Sequence, residues 1–414
     1  MYSASTNSES PLKTEQIVEK SLQGGLWVVF SNWVGRTLSF LQNVVVARLL
    51  FPEDFGLMGM ASVALELMNT FTQSGLQAAL IHRKELDQEA ANAAWILTIF
   101  RGLLLFAALW IGAPWAGLFF REDKVVALIR VLAFAFLIES FGNIWIVGLR
   151  KDLQFKRHAY SRLLIYSVSF VVTLVACFQL RSIWGLVIGR LAGALTQMIG
   201  SYIFALQRPR FGFNRSVARE LMSYGRHIIV LNIIIYLTMQ ADDIFVGRVL
   251  GKKALGFYVM AFALASLPGT IISQVAARIT FPLFSKIRQD STQTKSIFKA
   301  VVEMMALLAF PLSGALLVGA PQIIQIAYGE KWLPALPAMC VLCIFGLTRA
   351  LSTTLVSFLQ ALGLPNKLAR FAGLQLLLMA LIIYPLGTSL GIVGVSICIT
   401  LTSGFGLSML LFET

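Results

Sequence analysis

The sequence predicts an all-α fold, a polytopic membrane helix bundle of about twelve transmembrane helices in two six-helix lobes, related by a parallel pseudo-twofold repeat around a central cavity. Three observations predict it. Hydrophobic residues make up 57% of the 414 positions and charged residues only 13%, more apolar surface than one soluble core hides. Apolar runs of membrane length, about 20 residues, follow one another from Leu22 to Phe412 with short polar breaks. A shift by 200 residues lays the first half of the chain on the second.

The first twenty residues are polar and carry Glu9, Glu15 and Glu19 among two lysines. They lack the charged-then-apolar pattern of a cleavable signal peptide, so 1–21 reads as a cytoplasmic N-terminal segment. The spans are expected at 22–46, 55–80, 91–119, 125–149, 160–178, 183–206, 227–249, 256–282, 298–320, 332–360, 367–386 and 391–412. The first six form an N-lobe (22–206) and the last six a C-lobe (227–414), joined by the basic linker 207–226. No segment between spans is long enough for a soluble catalytic domain.

The net charge of +14 would point to nucleic acid in a soluble protein, but here the position of each cation matters more. With the N-terminus on side one, that side collects 20 Lys and Arg residues and the opposite loops 8. The positive-inside rule then places both termini of this multi-pass protein in the cytoplasm. Nucleic acid is not an expected partner; membrane lipids are.

Under the 200-residue shift, Val46-Ala47-Arg48-Leu49-Leu50 falls on Val246-Gly247-Arg248-Val249-Leu250, and Gly56, Met60 and Ala61 fall on Gly256, Met260 and Ala261. Six of the sixteen positions from 46 to 61 are identical without a gap. Six helices per half is an even number, so both halves enter the membrane in the same orientation, a parallel repeat whose axis follows the membrane normal.

Charges within the spans are costly and should face a partner or a wet path. They are Arg36, Glu66, Arg101, Arg130, Glu139 and Arg190 in the first half, and Asp242, Asp243, Arg278, Glu303 and Arg349 in the second. Arg36, Glu66, Glu139 and Arg349 lie near the middles of their spans. Arg130, Arg278 and Glu303 lie nearer the ends, where snorkelling explains them. Two readings stay open for the deep set: ion pairs that fix packing, Arg36 with Glu66 and Arg101 with Glu139, or a lumen for an anion. Asp242 and Asp243 correspond under the repeat to Gln42 and Asn43. Adjacent helical residues point about 100° apart, which argues against a catalytic carboxylate pair and leaves ion coupling or pairing with Arg248.

Other patterns are architectural. Gly185, Gly189 and Gly193 share one helix face and predict close helix contact, and Pro268, Pro282, Pro311 and Pro385 bend or end helices. Cys340 and Cys343 form a lone CxxC with no second pair, read as packing. His82, His158 and His227 fall at cytoplasmic ends without ligand spacing. The sequence has no nucleophile elbow and no phosphate-binding loop, so an enzyme is not expected, nor a metal or other cofactor.

Several motifs together carry a resemblance. Ala47-Arg48-Leu49-Leu50, Phe55-Gly56-Leu57 and Ser74-Gly75-Leu76-Gln77-Ala78-Ala79-Leu80-Ile81 stand in the first half. Asp242 to Arg248, Leu255-Gly256-Phe257-Tyr258, Phe281 to Ile287 and Tyr328-Gly329-Glu330-Lys331-Trp332 stand in the second. With these the chain resembles the polysaccharide transporter family, the Wzx-type flippases of the multidrug, oligosaccharidyl-lipid and polysaccharide exporter superfamily, and is most similar to its colanic-acid-exporter branch. The resemblance implies a substrate of undecaprenyl-diphosphate-linked oligosaccharide, carried from the cytoplasmic to the periplasmic leaflet for surface polysaccharide synthesis. It also implies a proton or sodium gradient as driver, and a polysaccharide polymerase with chain-length and export proteins as partners. Arg36 matches a cavity arginine of the related lipid II flippases, which carry a second arginine where this chain has Gln42. Family members often have fourteen helices, whereas this sequence ends at Thr414 after the twelfth expected span.

The expected cavity set is therefore Arg36, Arg101 and Arg349 toward the diphosphate or sugar, with Glu66, Glu139 and Gln42 beside them, and Asp242 and Asp243 for ion coupling. A rival is a multidrug or cation exporter of the same superfamily, which calls for an acidic lumen. A rival from another class is a membrane glycosyltransferase or polysaccharide ligase, which calls for a large outer loop that this sequence lacks.

Overall fold

A computed structural model of the chain describes residues 11–72, 80, 87–151, 154–212, 214–223, 229–270, 272, 291–361 and 365–413. Most of Ser74–Ile81, all of Phe281–Ile287, and Arg278 and Pro282 lie outside these residues. The described residues form helices joined by short turns, and six stretches among them are apolar and long enough to cross a membrane.

The helices are α1 (Pro11–Leu49), α2 (Pro52–Thr72), α3 (Gln88–Phe120), α4 (Asp123–Ser140), α5 (Phe155–Leu180), α6 (Trp184–Phe204), α7 (Arg215–Ser223), α8 (Ile229–Phe245), α9 (Gly251–Ala265), α10 (Ser291–Ile323), α11 (Leu336–Ala361) and α12 (Pro365–Glu413). Local chemistry sets their ends. Pro52 opens α2, where a missing N–H costs nothing, and the Asp54 carboxylate accepts from the Phe51 N–H at 3.2 Å. Arg181, with φ of 45°, closes α5 in the left-handed region, its N–H on the Cys177 carbonyl at 2.9 Å. α8 and α10 end in the same way: a five-residue π turn, Val246–Leu250 or Ile324–Tyr328, then a glycine at positive φ, Gly251 or Gly329, whose N–H closes on the first carbonyl of the turn.

Three expected spans take a different form. The fourth is not continuous from 125 to 149: α4 stops at Ser140, and a 3-10 turn Ile144–Val147 and one helical turn Gly148–Lys151 follow. Asn143 makes the break. Its side-chain oxygen accepts from the Trp145 N–H at 3.0 Å, its own N–H donates to Ser201 Oγ at 2.6 Å, and its amide donates to the Gln207 carbonyl at 2.7 Å. An Asx side chain that offers the backbone such partners competes with the helix ladder. The eleventh and twelfth spans run together as α12, broken inside by Gly391 at φ 61° and ψ −140°, a conformation that favours glycine.

The chain folds as two compact units. The first comprises Met1–Val46, Thr72–Trp110 and Arg130–His227; the second comprises Ala47–Phe71, Ile111–Ile129 and Ile228–Thr414. Their boundaries differ from those of the expected lobes, because Ala47–Phe71 and Ile111–Ile129 of the first half of the sequence pack with the helices of the second half.

In the first unit, α5 and α6 form a tight hairpin along the expected glycine face. Gly185 lies on Cys177, Gly189 on Thr173 and Gly193 on Ser169, with added Cβ atoms at 2.5, 1.8 and 3.3 Å from the nearest atoms. Small residues let the backbones approach, the usual means of helix association in lipid. α1 packs on α5 through Gly24 against Phe155, Trp27 against Tyr160 and Gly35 against Tyr166.

In the second unit the two similar junctions, 46–61 and 246–261, meet each other. A Cβ on Gly56 would stand 1.7 Å from the Lys252 carbonyl oxygen, and one on Gly256 would stand 1.8 Å from the Pro52 carbonyl oxygen. Each junction arginine caps a helix of the other half. Arg48 donates to the Ile326 and Ala327 carbonyls after α10, and Arg248 to the Phe119 carbonyl at the end of α3 at 2.5 Å. Cations at helix C-termini meet both unpaired carbonyls and the negative end of the dipole. Lys331 and Trp332 complete the set. Lys331 Nζ bonds the Arg48 and Leu50 carbonyls at 2.9 and 2.6 Å, and Trp332 Nε1 bonds the Ala47 carbonyl at 2.9 Å. The fully buried Trp332 ring stands between Phe55 and Phe257.

Candidate functional site

The first unit holds a cavity of about 400 Å³, within the usual range for small-molecule sites. The α4 break shapes one wall, with Glu139, Gly142 and Asn143. A stripe on α5, His158, Ser161, Arg162, Ile165 and Tyr166, shapes another. Gln197 and Ser201 of α6 and Thr98 of α3 close it. Irregular backbone of this kind is tolerated inside a membrane where it lines a cavity or is buried in protein. The break's own groups are engaged: besides the Asn143 bonds, the Phe141 carbonyl accepts from Tyr202 Oη at 2.9 Å and Ser201 Oγ donates to the Met198 carbonyl at 2.6 Å.

Glu139 connects this cavity to Arg190 and Arg101. Its direct partner is Arg190 of α6, 2.9 Å away, while Arg101 of α3 stays within electrostatic reach of the same carboxylate. The expected Arg101–Glu139 pairing is thus extended into an Arg–Glu–Arg group on three helices. On α5, Arg162 donates to the hydroxyl of Tyr166 one turn on and lies over its ring.

Arg36 and Gln42 are half-buried on α1, and among the described residues neither makes an ion pair or side-chain hydrogen bond. Arg36 follows Gly35, which rests on the ring of the cavity residue Tyr166. The pairing of Arg36 with Glu66 expected as one reading joins residues of different units. Glu66 is exposed on α2, near Tyr236, whose hydroxyl donates to the Val63 carbonyl at 2.8 Å.

The second unit gathers Asp242, Asp243 and Arg349. Asp242 on α8 is 4% exposed; its Oδ2 accepts from Tyr258 Oη of α9 at 2.7 Å, and its Oδ1 is buried without a hydrogen-bond partner among the described residues. Arg349 on α11 lies within electrostatic reach of Asp242, its guanidinium 5.9 Å from the centre of the Phe345 ring. Asp243, the neighbouring carboxylate, is less buried. Arg248 takes no part in this group, because it caps α3 at Phe119. Asp242 thus engages Tyr258 and Arg349 rather than Arg248.

Of the charges expected to snorkel, Arg130 lies over the Trp110 ring and Glu303 meets Lys299 one turn away at 3.8 Å. No group of three or more His, Cys, Asp or Glu that would hold a metal occurs among the described residues. Sequence reasoning missed Tyr258, Asn143, Ser161, Tyr166 and Gln197. The α5 stripe was the available signal, since its polar residues recur at helical spacing on an apolar span.

Known proteins place this architecture. The sequence pattern of the family described as "Polysaccharide biosynthesis protein" matches residues 45–337. The teichuronic acid biosynthesis protein TuaB of Bacillus subtilis is 28% identical over 84% of this chain and 72% of its own length. The lipopolysaccharide biosynthesis protein WzxC of Escherichia coli is 24% identical over 83% and 70%. Among solved structures, the lipid II flippase MurJ in an inward closed conformation superposes with a TM-score of 0.74 at 13% identity, over 94% of this chain and 87% of its own. An inward-facing MATE-family multidrug resistance transporter gives 0.72 at 16% identity, over 92% and 94%. At such identities the structural likeness speaks for the fold alone. Since the family pattern covers well over half of its length, the chain belongs to the polysaccharide biosynthesis protein family of membrane transporters.

Proposed function

We propose that the protein is a flippase that moves undecaprenyl-diphosphate-linked oligosaccharide units from the cytoplasmic to the periplasmic leaflet of a bacterial inner membrane by alternating access. What carries this assignment is the polar, charged cavity enclosed by helices of membrane length, in a chain whose relatives are named for teichuronic acid and lipopolysaccharide synthesis. The obstacle to flipping is the passage of sugars and a diphosphate through hydrocarbon, where each unpaired polar group costs several kcal/mol. A wet, charged interior removes that cost while the lipid tail stays in the bilayer.

About twelve spans in two six-helix lobes, 22–206 and 227–414, with 207–226 as linker, fit this work. The reciprocal contacts of Gly56 with Lys252 and Gly256 with Pro52 support the repeat, because a twofold relation between residues 200 apart requires them in pairs. The excess of cations on one side supports cytoplasmic termini. The junctions then lie on the periplasmic side. Arg36, Arg101 and Arg349 serve the diphosphate or sugar, and Glu66, Glu139 and Gln42 are the further polar groups of the path. Asp242, with one buried carboxylate oxygen unpaired among the described residues, is the better placed of the two aspartates to couple transport to a proton or sodium gradient. The translocated unit then passes to a polymerase and its chain-length and export partners.

The test follows a lipid-linked oligosaccharide between leaflets in vesicles containing the purified protein, with and without an imposed gradient. Gradient-dependent appearance on the far leaflet is expected. Efflux of small organic cations with no movement of any oligosaccharide lipid would instead establish the multidrug exporter reading, which the MATE-like fold accommodates equally well.

A further inference from the structure

Two polar side chains on the wall of the 400 Å³ cavity, Ser161 on α5 and Gln197 on α6, form no side-chain hydrogen bond among the described residues. Both helices are of membrane length and otherwise largely apolar. Ser161 is buried, and an unpartnered polar group so placed is unfavourable unless it meets water or a ligand, while Gln197 is exposed on the same wall. Asn143 and Ser201 differ, because their bonds are all used to hold the α4 break.

We infer that this cavity binds one sugar ring of the lipid-linked substrate and so contributes to the choice of oligosaccharide; the inference rests on the flippase reading. The wall brings together a carboxylate acceptor, Glu139, an amide that both donates and accepts, Gln197, the hydroxyls of Ser161 and Tyr166, and the apolar side of Ile165. A pyranose presents the complementary set, with neighbouring hydroxyls that each donate and accept around an apolar C–H face. Planar carboxylate and amide groups bridge adjacent hydroxyls, and the aliphatic wall takes the ring face.

Other ligand classes fit less well. A phosphate would find the nearby guanidinium groups already engaged, Arg190 with Glu139 and Arg162 with Tyr166. A metal cation would find Glu139 held by Arg190 at 2.9 Å. A lipid tail would bury the polar wall without satisfying it. Tyr166 lies about 16 Å along α5 from its first residue, so the cavity reaches from the end of that helix toward the bilayer midplane.

The test uses the full chain in lipid nanodiscs and measures the affinity for undecaprenyl diphosphate, bare or carrying a single glucose, galactose or N-acetylglucosamine. Wild-type protein should bind the best sugar-bearing lipid about tenfold more tightly than the bare lipid, as one or two neutral hydrogen bonds provide. Ser161→Ala and Gln197→Leu should each reduce that ratio by about threefold to fivefold. Among the described residues neither side chain forms a hydrogen bond, so thermal unfolding midpoints should not move. A wild-type ratio of one, or a ratio unchanged in both variants, overturns the sugar site while leaving the flippase reading intact. Binding of neither the bare nor the sugar-bearing lipids by wild type overturns the flippase reading and the sugar site with it.

Discussion

Gly256 rests on the main-chain carbonyl of Pro52, so close that a Cβ would stand 1.8 Å from the oxygen, and Gly56 stands in the mirror relation to Lys252. Because both oxygens are backbone, neither can swing aside. Gly56→Ala or Gly256→Ala should each force α2 from α9 at about 1–3 kcal/mol, the usual cost of overpacking. The two changes open one interface, so the double variant should lose less than the sum of the singles. Unfolding midpoints in detergent measure this, and strictly additive losses would show the contacts to be independent.

Trp332 offers a finer probe of the same junction. Trp332→Phe keeps a ring between Phe55 and Phe257 but leaves the Ala47 carbonyl without its donor, and about 1 kcal/mol should be lost. Trp332→Ala empties a fully buried site and should cost about 3–5 kcal/mol. Chemical denaturation would separate the two. Equal losses would mean that the ring packing contributes little.

In the first unit, Arg190→Leu leaves Glu139 without its direct partner. The pair is partly exposed, side chains 49% and 23%, so the loss should be about 1–3 kcal/mol rather than the larger cost of breaking a fully buried pair. Removing both charges, Arg190→Leu with Glu139→Leu, should recover part of it. A double variant no more stable than Arg190→Leu alone would place the energy elsewhere, with Arg101 as the first alternative partner.

Asp242→Asn keeps an acceptor for the Tyr258 hydroxyl but removes the charge beside Arg349. Gradient-driven transport in vesicles should fall by about tenfold or more, since a shift of 1.4 kcal/mol already amounts to a factor of ten, while movement without a gradient should persist. The same change at the less buried Asp243 should have the smaller effect. Gradient dependence that survives Asp242→Asn would remove the aspartate from coupling.

Arg36→Ala should abolish oligosaccharide export while folded protein remains in the membrane, because among the described residues Arg36 holds no structural bond. Arg36→Lys should restore export only in part if the guanidinium fork grips a diphosphate. Surface polysaccharide assays alongside membrane quantification decide it. Full export by the alanine variant would exclude Arg36 from the path.

Helices were readable wherever apolar runs were uninterrupted, and the Gly185–Gly189–Gly193 face foretold the α5–α6 contact, because small residues at helical spacing have few other uses in lipid. The α4 break was not readable in this way. Gly142 and Asn143 are two ordinary residues in an apolar run, and the bonds that hold Asn143 come from Ser201 and Gln207, about sixty positions away. Charge partners proved equally hard to read. Asp242 is six residues from Arg248, yet its hydroxyl donor comes from the next helix and its cationic neighbour from α11.

The sequence by itself determined the solvent, the helical class, the similarity of the junctions at Arg48 and Arg248, and the family, because all of these follow from composition, period and local motif. Only the tertiary structure decided that each junction arginine caps a helix of the other half, that Lys331 and Trp332 close the end of α1, and that a polar cavity opens at a broken helix. The reason is physical. Burial in a membrane requires every backbone and charged group to find a partner, and which partner it finds depends on which helices are neighbours.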